Sequence, residues 1–118
     1  MNTLPIVRWR KRDWYLDGRL GQLRAVDNPH DVQPLARYCR TLKRPKILRY
    51  WANPGGDAGL ANGSFIREVV WPAEDGEPHV TLAQYMNGDF MWRVDSIPEG
   101  FTQVTVEHAT ALLPDCCK

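Results

Sequence analysis

The feature that most constrains the fold is the dipeptide Asn87-Gly88, set between two runs of alternating apolar residues. A two-residue type I′ hairpin loop needs positive φ at both positions, and Asn-Gly reaches that conformation at low cost. Val80 to Met86 and Asp89 to Val94 therefore read as two antiparallel strands. With a two-residue loop, Tyr85 faces Phe90, Ala83 faces Trp92 and Thr81 faces Val94. That face is the expected core side, and Gln84, Arg93 and Asp89 mark the wetter one.

Other elements follow from period and punctuation. Ile6 to Arg10 reads as a short strand, with Val7 and Trp9 on one side and Arg8 and Arg10 on the other. Trp14 to Leu16, Asp17-Gly18 and Arg19 to Val26 suggest a second hairpin, although Leu20, Leu23 and Val26 also fit a helical turn. Residues 31–44 read as a helix. Leu35, Tyr38, Cys39 and Leu42 form its apolar stripe, Arg37, Arg40 and Arg44 lie opposite, and Asp31 is the expected N-cap. Lys46 to Trp51, Phe65 to Trp71 and Phe101 to Thr105 read as strands, and Thr105 caps a second helix over 106–113. The expectation is an α+β fold: an antiparallel sheet of about five strands with two helices, 31–44 and 106–113, packed on it. At 118 residues, 43% of them hydrophobic, one domain spanning 1–118 has material for a core without disulfide staples.

The net charge of +1 conceals a division along the chain. Residues 1–50 hold 12 Lys/Arg and four Asp/Glu, and residues 51–118 hold three and ten. Arg8-Trp9-Arg10-Lys11-Arg12 interleaves cations with an aromatic ring, and Arg37, Arg40 and Arg44 extend the basic set. Cations suit phosphates or an acidic protein face, and flat rings suit unstacked bases. The same arginines would also serve as an ordinary solvated helix face. No apolar run reaches the roughly 18 residues of a membrane helix, so no membrane is expected. The first residues turn basic without a signal-peptide h-region, and Cys39, Cys116 and Cys117 show no secreted disulfide spacing. A cytoplasmic protein with reduced thiols is the expectation.

Catalytic and metal frames are missing from the pattern. There is no Gly-x-Ser-x-Gly and no His-Glu-x-x-His, and Cys116-Cys117 lacks the C-x2-C spacing of a zinc site. No catalytic residue, metal or cofactor is therefore expected. Asp17 with Arg19 and Arg24, or Glu68 with Arg67, could pair a general acid with an orienting cation, or be cross-strand ion pairs. The glycine-rich stretch 53–64 contains Gly55, Gly56, Asp57 and Gly59, a candidate ligand loop. It lacks the Lys and following helix of a P-loop and equally suits a plain hairpin connection.

Residues 14–31 carry the pattern aromatic-x-Asp-x-Arg-Leu-x-x-Leu-Arg followed by Asn-Pro-His-Asp. The stretch resembles a segment found in small proteins of bacteria, archaea and their mobile elements that have no assigned activity. It covers 18 of 118 residues, and Gly18 stands where charged residues are usual. The resemblance implies a recurring structural module and supplies no chemistry.

Three functional readings result. The leading one is a small non-catalytic binding module whose contacts are Arg8, Trp9, Arg10, Lys11, Arg12, Arg37, Arg40 and Arg44. These would meet an acidic protein surface or a second copy of the chain. The alternative is single-stranded nucleic-acid binding by the same residues. The third is a small enzyme or ligand-binding domain built on the glycine-rich loop.

Overall fold

A computed structural model of the chain describes residues 4–53, 63–73 and 78–112. Among them lie nine strands and two short helices. The strands are β1 (Ile6–Trp9), β2 (Arg12–Asp17), β3 (Gln22–Ala25), β4 (Val32–Pro34), β5 (Lys46–Ala52), β6 (Phe65–Val70), β7 (Val80–Met86), β8 (Asp89–Val94) and β9 (Thr102–Val104). The helices are α1 (Leu35–Cys39) and α2 (Val106–Leu112). Two sheets result, in the orders β1-β2-β3-β4 and β8-β7-β6-β5-β9. The expected α+β fold is thus corrected to a β-rich one, with two sheets in place of one and no long helix among the described residues.

The largest correction falls on residues 31–44, where only five residues are helical. Pro34 disfavours the helical region for Gln33, and Val32 is β-branched, so both favour extended backbone. Pro34 itself is extended, with φ −62° and ψ 137°. Val32, Gln33 and Pro34 instead pair with Arg24, Leu23 and Gln22 of β3. The helix starts at Leu35, whose N–H is held by the Gly21 carbonyl at 2.9 Å. It ends where the Thr41 hydroxyl and N–H both donate to the Tyr38 carbonyl. The apolar stripe persists, because Leu35, Tyr38 and Cys39 are buried and Leu42 packs beside them.

Turn chemistry explains the second set of differences. Trp9 pairs with Arg12, so Arg10 and Lys11 form a two-residue hairpin loop. Both have positive φ, 55° and 63°. Asp17 pairs with Gln22, so the β2–β3 connection has four residues rather than a tight Asp17-Gly18 turn. Asp17 Oδ1 accepts from the N–H groups of Arg19 and Leu20, and Gly21 takes the left-handed position with φ 65°. The β7–β8 hairpin has the expected bounds and the expected Tyr85–Phe90 pair. Beyond it, Met91 is an extra residue on β8, so Gln84 opposes Trp92 and Leu82 opposes Val94. A one-residue insertion sends the following side chains to the other face. Trp92 is accordingly 58% exposed rather than core.

Contacts group the chain into two units, Met1–Leu48 with Val70–Val80, and Arg49–Val69 with Thr81–Lys118. In the first, Val7, Trp9, Trp14, Leu16, Leu23 and Ala25 point from the four-stranded sheet toward Leu35, Tyr38, Cys39 and Val70. Trp9 lies 5.8 Å from both the Trp14 and the Tyr38 ring centroids, in tilted and edge-on contacts. The Trp14 indole N–H donates to the Trp9 carbonyl at 3.0 Å, so burying it leaves no donor unmet. In the second unit, Tyr50, Trp51, Phe65, Ile66, Val69, Ala83, Tyr85, Phe90 and Ala109 are buried. Thr105 caps α2 as expected, its hydroxyl accepting from the His108 N–H. Leu113 lies outside the described residues.

Burial pushes the Cys39 thiol above its ordinary titration range. The thiolate is the reactive form, so burial and the raised pKa act together. Iodoacetamide should therefore alkylate Cys39 far more slowly in the native chain than in urea, as read by mass mapping of its peptide. Equal rates would show that the α1 segment opens readily.

Candidate functional site

Alternation along β1 and β2 decides which side chains reach solvent. Ile6, Arg8, Asp13 and Tyr15 face outward, while Val7, Trp9, Trp14 and Leu16 face the core. Trp9 is 8% exposed and Trp14 4%, so neither ring offers a face to a partner. The Arg10 guanidinium lies 4.7 Å over Trp9, and that of Arg12 lies 5.2 Å over Trp14. The interleaving of cations and rings is thus a core rim: the rings are buried and the cations lie over them.

The eight residues read as contacts separate into three groups. Trp9 belongs to the core. Arg8 and Arg12 are engaged by carboxylates, Arg8 with Asp13 at 3.2 Å and Arg12 with Asp27 at 2.8 Å and Asp31 at 2.9 Å. Arg10, Lys11, Arg37, Arg40 and Arg44 are exposed and form no ion pair with any described residue. Arg37 donates to the neutral Gln33 at 2.8 Å, which leaves its charge uncompensated. Lys43 and Lys46 are likewise exposed and extend this set. Trp9 touches both Arg10 and Tyr38, so the hairpin tip and α1 meet at one indole. The uncompensated cations are therefore those of the Arg10-Lys11 tip and those on and after α1.

The charge division persists in the fold: among the described residues the first unit counts 11 Lys/Arg against four Asp/Glu, and the second counts three against five.

The Arg12 pairs hold the turn between β3 and β4 to β2. The Arg12 guanidinium keeps the Asp27 carboxyl below its ordinary value of 3.8. A carboxyl depressed in this way contributes stability above its unfolded pKa, and that stability is lost as pH falls through the lower folded value. The Arg12 anchor should therefore hold at neutral pH and release only below about pH 4. Carbon-13 titration of the Asp27 carboxyl should show its midpoint rising to the ordinary range in Arg12→Gln. An unchanged midpoint would show that Arg12 is not its partner in solution.

The two carboxylate–cation readings of catalysis do not assemble. Asp17 caps its own turn. Glu68 faces away from its chain neighbour Arg67 and instead accepts two hydrogen bonds from Arg49, at 2.9 and 3.2 Å. No three His, Cys, Asp or Glu side chains among the described residues are grouped to hold a metal. Gly55, Gly56, Asp57 and Gly59 of the candidate ligand loop, and Cys116 and Cys117, lie outside the described residues. No helix among the described residues is long and apolar enough to cross a membrane. No family model, no curated protein and no solved structure matches the chain.

Proposed function

We propose that the chain is a non-catalytic binding protein that docks an acidic protein surface through Arg10, Lys11, Arg37, Arg40 and Arg44. The observation that carries this reading is the β1–β2 turn. Arg10 and Lys11 both occupy left-handed backbone, where Asn-Gly would be less strained. Each such residue costs on the order of 1 kcal/mol, and strain of this kind clusters where side-chain identity serves a function. Two long cations at an exposed tip are suited to reaching a partner's carboxylates.

Single-stranded nucleic acid is the weaker reading, because Trp9 and Trp14 are buried and cannot stack on bases. The test is fluorescence anisotropy at low salt with a labelled polyglutamate peptide and a labelled oligothymidylate of equal length. The proposal expects polyglutamate to bind and to be released by added salt, with weaker binding in Arg10→Gln/Lys11→Gln. Tighter oligothymidylate binding with quenching of tryptophan fluorescence would replace it with the nucleic-acid reading. Binding of neither probe would overturn it, and salt-sensitive dimerisation by light scattering would reassign the surface to a second copy of the chain.

A further inference from the structure

β1 is a terminal strand of its sheet, and the pairing pattern shows which of its backbone groups point outward. Trp9 and Arg12 flank a two-residue loop with positive φ at both positions, so they form a hydrogen-bonded pair. Hydrogen-bonded and non-hydrogen-bonded pairs alternate along an antiparallel ladder. Val7 and Trp14 are therefore the next bonded pair, and the Leu16 N–H continues the pattern by donating to the Pro5 carbonyl at 2.8 Å. Ile6–Tyr15 and Arg8–Asp13 are the pairs between. The N–H and C=O groups of Ile6 and Arg8 thus point away from β2, along the outer edge of the sheet. Both residues reach solvent: Ile6 is 56% exposed and the Arg8 side chain 66%.

Sheet edges recruit further strands unless something discourages pairing. The other strands that end the described sheet orders carry such devices. β4 has three residues and closes on Pro34, β9 has three residues, and β8 contains the extra residue Met91. β1 has four residues in unbroken register. Its protection is charge instead, with Arg8 in the strand and Arg10 and Lys11 directly after it. Charge of one sign repels a basic strand and attracts an acidic one, so it selects among strands rather than excluding all of them. The Arg8–Asp13 pair is exposed on both sides, and pairs of that kind are weakly held. Arg8 can therefore turn toward an incoming carboxylate.

We propose that the outer edge of β1 binds an extended acidic segment of a partner protein as an added strand. Main-chain hydrogen bonds to Ile6 and Arg8 supply the attachment, and alternate side chains of the added strand supply the selectivity. An apolar residue lies beside Ile6, an acidic residue beside Arg8, and a second acid reaches the Arg10-Lys11 tip. This rests on the docking reading above and names its ligand as an extended acidic strand.

The experiment is an NMR titration of the full chain with the acetylated, amidated peptide Glu-Thr-Glu-Thr-Val. In antiparallel addition its Val lies opposite Ile6 and its central Glu opposite Arg8. Amide exchange of Ile6 and Arg8 should slow on saturation, while Val7 and Trp9, already bonded to β2, should change little. The same peptide N-methylated at the central Glu and the Val keeps its charge and loses two donors, and should bind at least about tenfold more weakly. Gln-Thr-Gln-Thr-Val should bind several-fold more weakly at low salt, and equal binding would overturn the acidic ligand. All of these changes are in the peptide, so folding of the chain is not at stake. Binding that leaves Ile6 and Arg8 exchange unchanged, with equal affinity for the N-methylated form, overturns the added strand and leaves the docking reading standing. Binding of polyglutamate without this peptide does the same, whereas binding of neither removes both. Slowed exchange that depends on protein concentration alone would place a second copy of the chain on the edge and overturn the proposal.

Discussion

Replacing Arg10 with Asn and Lys11 with Gly should stabilise the protein and weaken its binding to acidic partners. The two effects have one source. Trp9 pairs with Arg12 across a two-residue loop, and both loop residues have positive φ. Asn-Gly is the preferred occupant of that geometry, as the chain's own Asn87-Gly88 turn illustrates with φ values of 51° and 89°. Relief at two positions should amount to about 1–2 kcal/mol. For a chain of this size that raises the melting temperature by roughly 5–10 °C. Loss of the Arg10 contact with Trp9 subtracts from the gain, since a cation over a ring at an exposed site contributes about 0.5–1 kcal/mol. The net change should therefore remain stabilising while polyglutamate binding falls. Calorimetry and anisotropy on the same preparation check both halves. A variant that gains stability and keeps its binding would detach the strain from function. A destabilised variant would mean that the Arg10–Trp9 contact outweighs the turn.

The legible parts of the fold are those where local chemistry and periodicity agree. Asn87-Gly88 and the alternation around it placed β7 and β8, because turn preference and apolar pattern both required the same hairpin. The bulge at Met91 was not legible, since an extra residue leaves the composition of the strand unchanged and alters only its pairing. Residues 31–44 show the opposite failure. Leu35, Tyr38, Cys39 and Leu42 have helical spacing, yet four residues cannot distinguish a long helix from one turn followed by a bend. Pro34 held the missing information through its effect on Gln33, which frees Val32 to Pro34 to extend the first sheet. The Arg10-Lys11 turn was hidden because its residue types argue against the conformation they adopt.

The candidate site was legible as a set of cations and illegible as a pattern of pairing. Arg8, Arg12 and Arg49 all stand in the basic half, but carboxylates at Asp13, Asp27, Asp31 and Glu68 engage them. Three of these four acids come from the same basic half, so linear charge counting could not show which cations stay uncompensated. Glu68 shows the limit most clearly. Its chain neighbour is Arg67, while its partner is Arg49, 19 residues away on the adjacent strand. The alternation of side chains along β6 separates the neighbours and leaves one carboxylate for two guanidinium groups.

That carboxylate is also where a single substitution should cost most. The Arg49 and Glu68 side chains are only 15% and 12% exposed, and two hydrogen bonds join them in a bidentate pair. The Arg49 guanidinium additionally lies 4.6 Å over the Trp51 ring. Glu68→Ala removes a bidentate carboxylate from a largely desolvated guanidinium. A fully buried pair broken in this way loses about 3–5 kcal/mol, and the residual exposure here places the expectation at about 2–4 kcal/mol. Replacing both members, Arg49→Met with Glu68→Leu, removes the charge and the need to compensate it together. The double variant should therefore recover most of that loss, because apolar residues of similar volume often match or exceed a buried ion pair. Urea denaturation of wild type, both single variants and the double variant gives the coupling directly. A Glu68→Ala loss below about 0.5 kcal/mol would mean that Arg49 swings into solvent, and that the pair joins β5 to β6 without stabilising them.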